Sequence, residues 1–88
     1  MNRFPDNQKA AAQSLGAQLG KVTEETREAV AAYDDGEGSA RVIEELWDVI
    51  QAAEGALRKF GPLAVLKGLV RVKLKCFARG DYMKGGRR

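Results

Sequence analysis

The pentapeptide Asp34-Asp35-Gly36-Glu37-Gly38 is the feature that most restricts how this chain can fold. Its composition is that of a turn, and the segments on either side are patterned for helix. So short a connection makes the two flanking helices neighbours that pack antiparallel. The surrounding composition agrees: Ala, Leu, Glu, Lys, Arg and Gln are plentiful, aromatics are few, and β-branched residues do not cluster. The 88 residues suffice for one domain, over 1–88. A core of that size is modest, so self-association would help it. The expected fold is all-α: an antiparallel bundle of three to four helices, oligomeric, with residues 1–5 and 82–88 as flexible ends.

Pro5 and Pro62 sit where helices would begin. The first helical pattern runs from Pro5 to about Tyr33, with Leu15, Leu19, Val22, Thr26, Ala29 and Tyr33 as its buried face. Gly16 and Gly20 each cost about 1 kcal/mol against Ala in a helix interior, which predicts a kink near Gly20. Ser39 is the expected N-cap of the next helix, over residues 40–60. Its core stripe would be Val42, Leu46, Val49, Ile50, Ala53, Leu57 and Phe60. Gly61 ends it and Pro62 opens a last helix over residues 63–78, closed by Gly80. That helix carries two apolar stripes, Leu63, Leu66, Val70, Leu74, Phe77 and Val65, Leu69, Val72, Cys76. They lie roughly 120° apart on a wheel of ~100° per residue. Three helices would struggle to cover both, so the second stripe is expected to be an oligomer contact.

Charge is unevenly spread. Ten of the twelve acidic residues lie between Glu24 and Glu54, whereas from Arg58 onward ten Lys or Arg accompany a single acid, Asp81. An acidic half before a basic half suits a site holding metal ions and phosphates, and equally a nucleic-acid binder with a basic tail. The absence of histidine removes Ser-His-Asp and Cys-His catalysis and histidine metal sites. The lone Cys76 excludes an intrachain disulfide and a zinc centre, and reads as a packing residue. Oxygen ligands remain, which favour Mg²⁺, Mn²⁺ or Ca²⁺. No stretch reads as a signal peptide or membrane span, so the expected compartment is the cytoplasm. Gly36 and Gly38 do not form a phosphate loop, because no Lys-Ser or Lys-Thr follows.

Two acidic pairs carry the chemistry. Glu25 and Glu28 are three apart on one helix, and Glu45 and Asp48 are three apart on the next. An i, i+3 spacing stacks two side chains on one side of a helix. On facing helices the pairs converge into a four-carboxylate cage, whose mutual repulsion a hard divalent cation would relieve. With Leu46 at the centre of the core face, Glu45 lies ~100° away and Asp48 ~160° away. Trp47, on the opposite flank, would wall a pocket or meet a partner subunit.

The joint pattern, E-E-x-x-E at Glu24–Glu28 and E-x-x-D at Glu45–Asp48 after sixteen intervening residues, resembles the signature of the MazG-like all-α nucleoside triphosphate pyrophosphohydrolases. Lys21 before it and the E-L-W-D-V-I context around Trp47 are also similar to that family. The resemblance covers residues 21–60 well and the last helix loosely. It implies an enzyme, a helical dimer or tetramer that hydrolyses (deoxy)nucleoside triphosphates between the α- and β-phosphates, giving monophosphate and pyrophosphate. Glu25, Glu28, Glu45 and Asp48 would bind Mg²⁺, or Mn²⁺ in its place. Glu24 would be a further ligand or the base that activates water. The departure is the N-terminus, which is short and lacks the family's aromatic-rich first helix.

Lys67, Arg71, Lys75 and Arg79 recur every four residues on the last helix. They are either a solvated cationic face or a triphosphate clamp. The family carries a Lys and an Arg near this point, followed by Arg-Gly and an aromatic; Lys75, Arg79-Gly80 and Tyr82 look similar. With Lys21, they would be the substrate-binding residues, Tyr82 stacking on a base or ribose if it is not merely a tail residue. Two alternatives stand beside the enzyme. A small basic nucleic-acid-binding protein leaves the acidic pairs unexplained; a helical interaction module explains the second apolar stripe alone.

Overall fold

The computed structural model describes Phe4 and residues 8–80, and four helices lie in that span: α1 (Gln8–Ala12), α2 (Leu15–Asp34), α3 (Ser39–Leu57) and α4 (Pro62–Ala78). No strand occurs among the described residues, and no helix there is long and apolar enough to cross a membrane. The helix start expected at Pro5 and the ends expected to be flexible, 1–3, 5 and 82–88, lie outside the described residues.

The first long helix breaks at residues 13–14, not near Gly20. Ser14, in extended conformation, caps α2 by accepting a hydrogen bond from Ala17 N at 3.1 Å. The cap satisfies an orphan N–H of the first turn, and α2 then runs unbroken through Gly20. The glycine penalty of about 1 kcal/mol is too small to interrupt a helix held along its length by a neighbour.

Gly38 rather than Ser39 is the N-cap of α3. Its φ of 99° is one that a side chain at this position would resist. Gly36, at φ 66°, completes the turn, and Glu37 N donates to Ala32 O at 3.0 Å. α3 ends at Leu57, three residues before the expected end. Lys59 N and Phe60 N donate to Ala56 O and Leu57 O in tightened turns, and Pro62 opens α4 as its sequence position suggests.

α2 and α3 form the one extensive helix–helix contact among the described elements. Its inner face differs from the expected stripes. On α2 the buried residues are Gln18, Glu25, Ala29 and Ala32; Leu15 and Val22 are half-buried, while Leu19, Thr26 and Tyr33 are exposed. On α3 they are Glu45, Glu54 and Ala56; Val42, Val49, Ile50 and Ala53 are half-buried, and Leu46, Leu57 and Phe60 are exposed. The hairpin thus buries alanines and carboxylates and turns its largest apolar side chains outward. Small residues let two helices approach closely, and here they take the inner face in place of the bulky stripes.

Within one chain α4 has no buried residue. Val65, Leu69 and Val72 turn toward Leu57 and Phe60 at the end of α3 and line an open groove with them. Leu63, Leu66, Leu74 and Phe77 are more than half exposed. The radius of gyration, 15.4 Å, exceeds the roughly 12 Å expected of a compact chain of this length. Near the N-terminus, Arg58 Nη2 donates to Phe4 O at 2.5 Å, Lys59 Nζ donates to Ala11 O at 2.7 Å, and the Phe4 ring meets Trp47 edge-on at 6.2 Å.

Candidate metal centre

The antiparallel hairpin sets Glu25 of α2 against Glu45 and Asp48 of α3. One carboxylate oxygen from each of the three lies within 4.8 Å of the others. Glu45 is 2% exposed and Glu25 8%, while Asp48 stands at the exposed edge. Glu45 Oε1 is fully buried and has no hydrogen-bond partner among the described residues. A buried carboxylate oxygen is strongly disfavoured without a donor or a cation. The three carboxylates together offer the all-oxygen donor set that Mg²⁺ and Mn²⁺ take. The residues therefore fit a hard divalent cation.

Glu28 stands beside this group, one turn along α2. It is exposed, and its carboxyl is pushed above the usual range, first by the charge of Glu25, with Glu45 also contributing. Glu24 is exposed and lies 3.6 Å from Lys21 Nζ. With Lys21, Glu25 and Asp48 it lines a cavity of about 550 Å³ that continues between α2 and α3 past Gln18 and Gln51 to Arg58 and Phe4. That volume is within the usual range of small-molecule sites.

Two cations attend the buried carboxylates. Lys21 Nζ lies 2.9 Å from Glu25 Oε2, and its proton is held more tightly than usual, chiefly by that hydrogen bond. The Arg41 guanidinium pairs with Glu45 Oε2 and also reaches Glu44 at 3.1 Å and Glu37 at 3.5 Å. Its proton too is held more tightly, by the Glu44 hydrogen bond first and the Glu45 charge second.

The structure therefore gathers Lys21, Glu24, Glu25, Glu45 and Asp48; of the four carboxylates expected to converge, Glu28 is outside the three-oxygen cluster and lines no part of the cavity. Lys67, Lys75 and Arg79 are exposed on α4 and line no part of this cavity; Arg79 Nη2 rests on Cys76 Sγ at 3.4 Å. Tyr82 lies outside the described residues. No family model, curated protein or solved structure matches the chain.

Arg41 was missed by sequence reasoning, although a signal was present. Lys21, Glu25 and Glu28 stand at the same spacing as Arg41, Glu45 and Asp48: a cation, then carboxylates four and seven residues on. Each helix thus carries the same short module. Gln18 and Gln51 were also missed, because an amide in a helix carries no motif.

Proposed function

We propose that this chain is a divalent-cation-dependent nucleoside triphosphate pyrophosphohydrolase that works as an oligomer. The convergence of Glu25, Glu45 and Asp48 within 4.8 Å, two of them buried, is the observation that carries the reading. The resemblance of the two acidic pairs to the MazG-like enzymes supports it, as does the cavity that opens from the carboxylates.

Glu25, Glu45 and Asp48 would hold the cation, with Glu28 completing the set. When bound, Mg²⁺ would neutralise phosphate charge and lower the pKa of water. Glu24 faces the same cavity and can take a proton from water as its oxygen attacks the α-phosphorus. The bond to the bridging oxygen breaks, and pyrophosphate leaves with the electron pair. Lys21, on the cavity wall, would meet the phosphate chain. Lys75 and Arg79 line no part of the cavity within one chain, so they would clamp phosphate from a neighbouring copy. The exposed stripes of α4 and of the hairpin's outer face supply the apolar surface such an assembly needs.

The direct test is pyrophosphate release from a panel of nucleoside triphosphates with Mg²⁺. Release that stops with EDTA is the expected result; no release from any member contradicts the reading. One observation favours a nucleic-acid binder instead: the basic stripe of α4 is exposed and apart from the carboxylates. That reading predicts DNA or RNA affinity falling steeply with salt.

A further inference from the structure

The repeated module gives each buried carboxylate its own cation. Lys21 and Arg41 are about half exposed at their side chains, at 53% and 51%, yet they reach carboxylates that are almost closed off, Glu25 at 11% and Glu45 at 3%. Each cation also touches exposed acids outside the three-carboxylate cluster: Glu24 for Lys21, and both Glu44 and Glu37 for Arg41. The inner contacts occupy carboxylate oxygens of the very residues that would bind the metal, and the outer contacts offer each cation another place to rest.

Resting on the metal-binding reading above, we infer that Lys21 and Arg41 are internal counter-ions that hold Glu25 and Glu45 in the metal-free protein and give way when a divalent cation enters. Two like charges brought together away from bulk water repel strongly, so the empty site needs cations of its own to stay folded. Tethered four residues upstream on the same helix, the ammonium and the guanidinium supply them. An incoming divalent ion competes with both. Their long stems let the heads swing onto Glu24, and onto Glu44 and Glu37, without backbone movement. Lys21 then stands on the cavity wall beside Glu24. Arg41 is absent from that wall and stays parked among its outer acids. It is a positioning residue for Glu45, acting on the metal site through that carboxylate.

The roles separate by cation affinity. Mn²⁺ is titrated into the wild type, Arg41→Gln, Arg41→Lys, Lys21→Gln and Arg27→Gln, with free ion read by electron paramagnetic resonance. The melting temperature of each metal-free protein is measured alongside. Arg27→Gln removes the same unit of charge from α2 without removing either contact. Loss of a charge-assisted contact that competes with the metal should tighten Mn²⁺ binding about tenfold in Arg41→Gln. The metal-free melting temperature should fall in the same variant. Lys21→Gln should show both effects more weakly, because Glu25 is less deeply buried than Glu45. Arg41→Lys should stay near the wild type, and Arg27→Gln should change affinity by less than about twofold, as an exposed, solvent-screened charge does. Should Arg41→Gln fail to fold without metal, Lys21→Gln carries the test. Mn²⁺ binding that is unchanged or weaker in both neutralised variants overturns the inference and leaves the metal reading intact. An equal gain in Arg27→Gln also overturns it, because net charge would then account for the effect. A wild type that binds no Mn²⁺ removes the metal reading itself, and the inference with it.

Discussion

The α2–α3 hairpin and α4 spend their side chains in opposite ways. The hairpin buries Glu25, Glu45 and Glu54 with alanines and leaves Leu19, Ile43, Leu46 and Trp47 about half exposed or more. α4 is richer in large apolar residues and basic in charge, yet buries none of them within one chain. Charges inside and apolar surface outside is the reverse of a self-sufficient domain. On the proposed reading the first departure is a cation site, since a buried charge is kept only where it is paired or bound. On the same reading the second is an assembly surface, since large contiguous apolar faces are rare on monomers. The contrast predicts that damage to the hairpin strikes chemistry directly, whereas damage to the apolar face of α4 strikes it through association.

The largest effect belongs to the hairpin. Asp48→Asn or Glu28→Gln should lower pyrophosphate release by about a thousandfold or more, because several kcal/mol of transition-state charge stabilisation would be lost. Initial-rate assays at saturating Mg²⁺ check this, and full activity in either variant would remove that residue from the site. Next comes Val72→Glu on α4. Val72 lines the open groove against Leu57 and Phe60; where a partner copy covers that groove a charge is disfavoured by several kcal/mol, so light scattering should show monomer or aggregate, with turnover lost alongside. A wild type that is monomeric at micromolar concentration would mean the apolar face of α4 is not an interface.

Smaller effects separate the two regions further. Lys75→Ala and Arg79→Ala should each reduce kcat/KM by roughly tenfold to a hundredfold, the worth of one charged phosphate contact at about 1.5–3 kcal/mol. Lys67→Ala, about two turns from Lys75 and more than three from Arg79, should matter less. Normal turnover in both, with DNA affinity uniformly weakened and the salt slope reduced by about one per contact, would make α4 a nucleic-acid surface. The smallest expected change is Gly20→Ala in α2. A Cβ there meets nothing within 4 Å, so it should raise stability by about 0.5–1 kcal/mol in chemical denaturation. A loss would indicate that the α2 backbone at Gly20 is approached closely in solution.

Much of this division was legible in the sequence. The Gly36–Gly38 turn, the hairpin it imposes, Pro62 at the start of α4 and the acidic pairs all follow from local chemistry. The direction of the faces did not. Periodic apolar residues show that a stripe is to be covered, but not by which neighbour. Leu46 was therefore placed at the centre of the α3 core, where the structure has Glu45. The same limit hid Arg41, whose role depends on Glu45 pointing inward. The break falls at Ser14 and not at the glycines, because a side-chain cap that starts a new helix outweighs a modest propensity penalty.

The central claim is that the carboxylates buried in the hairpin are there for a divalent cation, and thermal unfolding of the wild type and Glu45→Gln, with and without Mg²⁺, tests it most directly. At a hundred times its dissociation constant the ion should stabilise the wild type by about 2.7 kcal/mol. Glu45→Gln should show little or no gain at the same concentration. Equal stabilisation of both proteins, or of neither, would contradict the account.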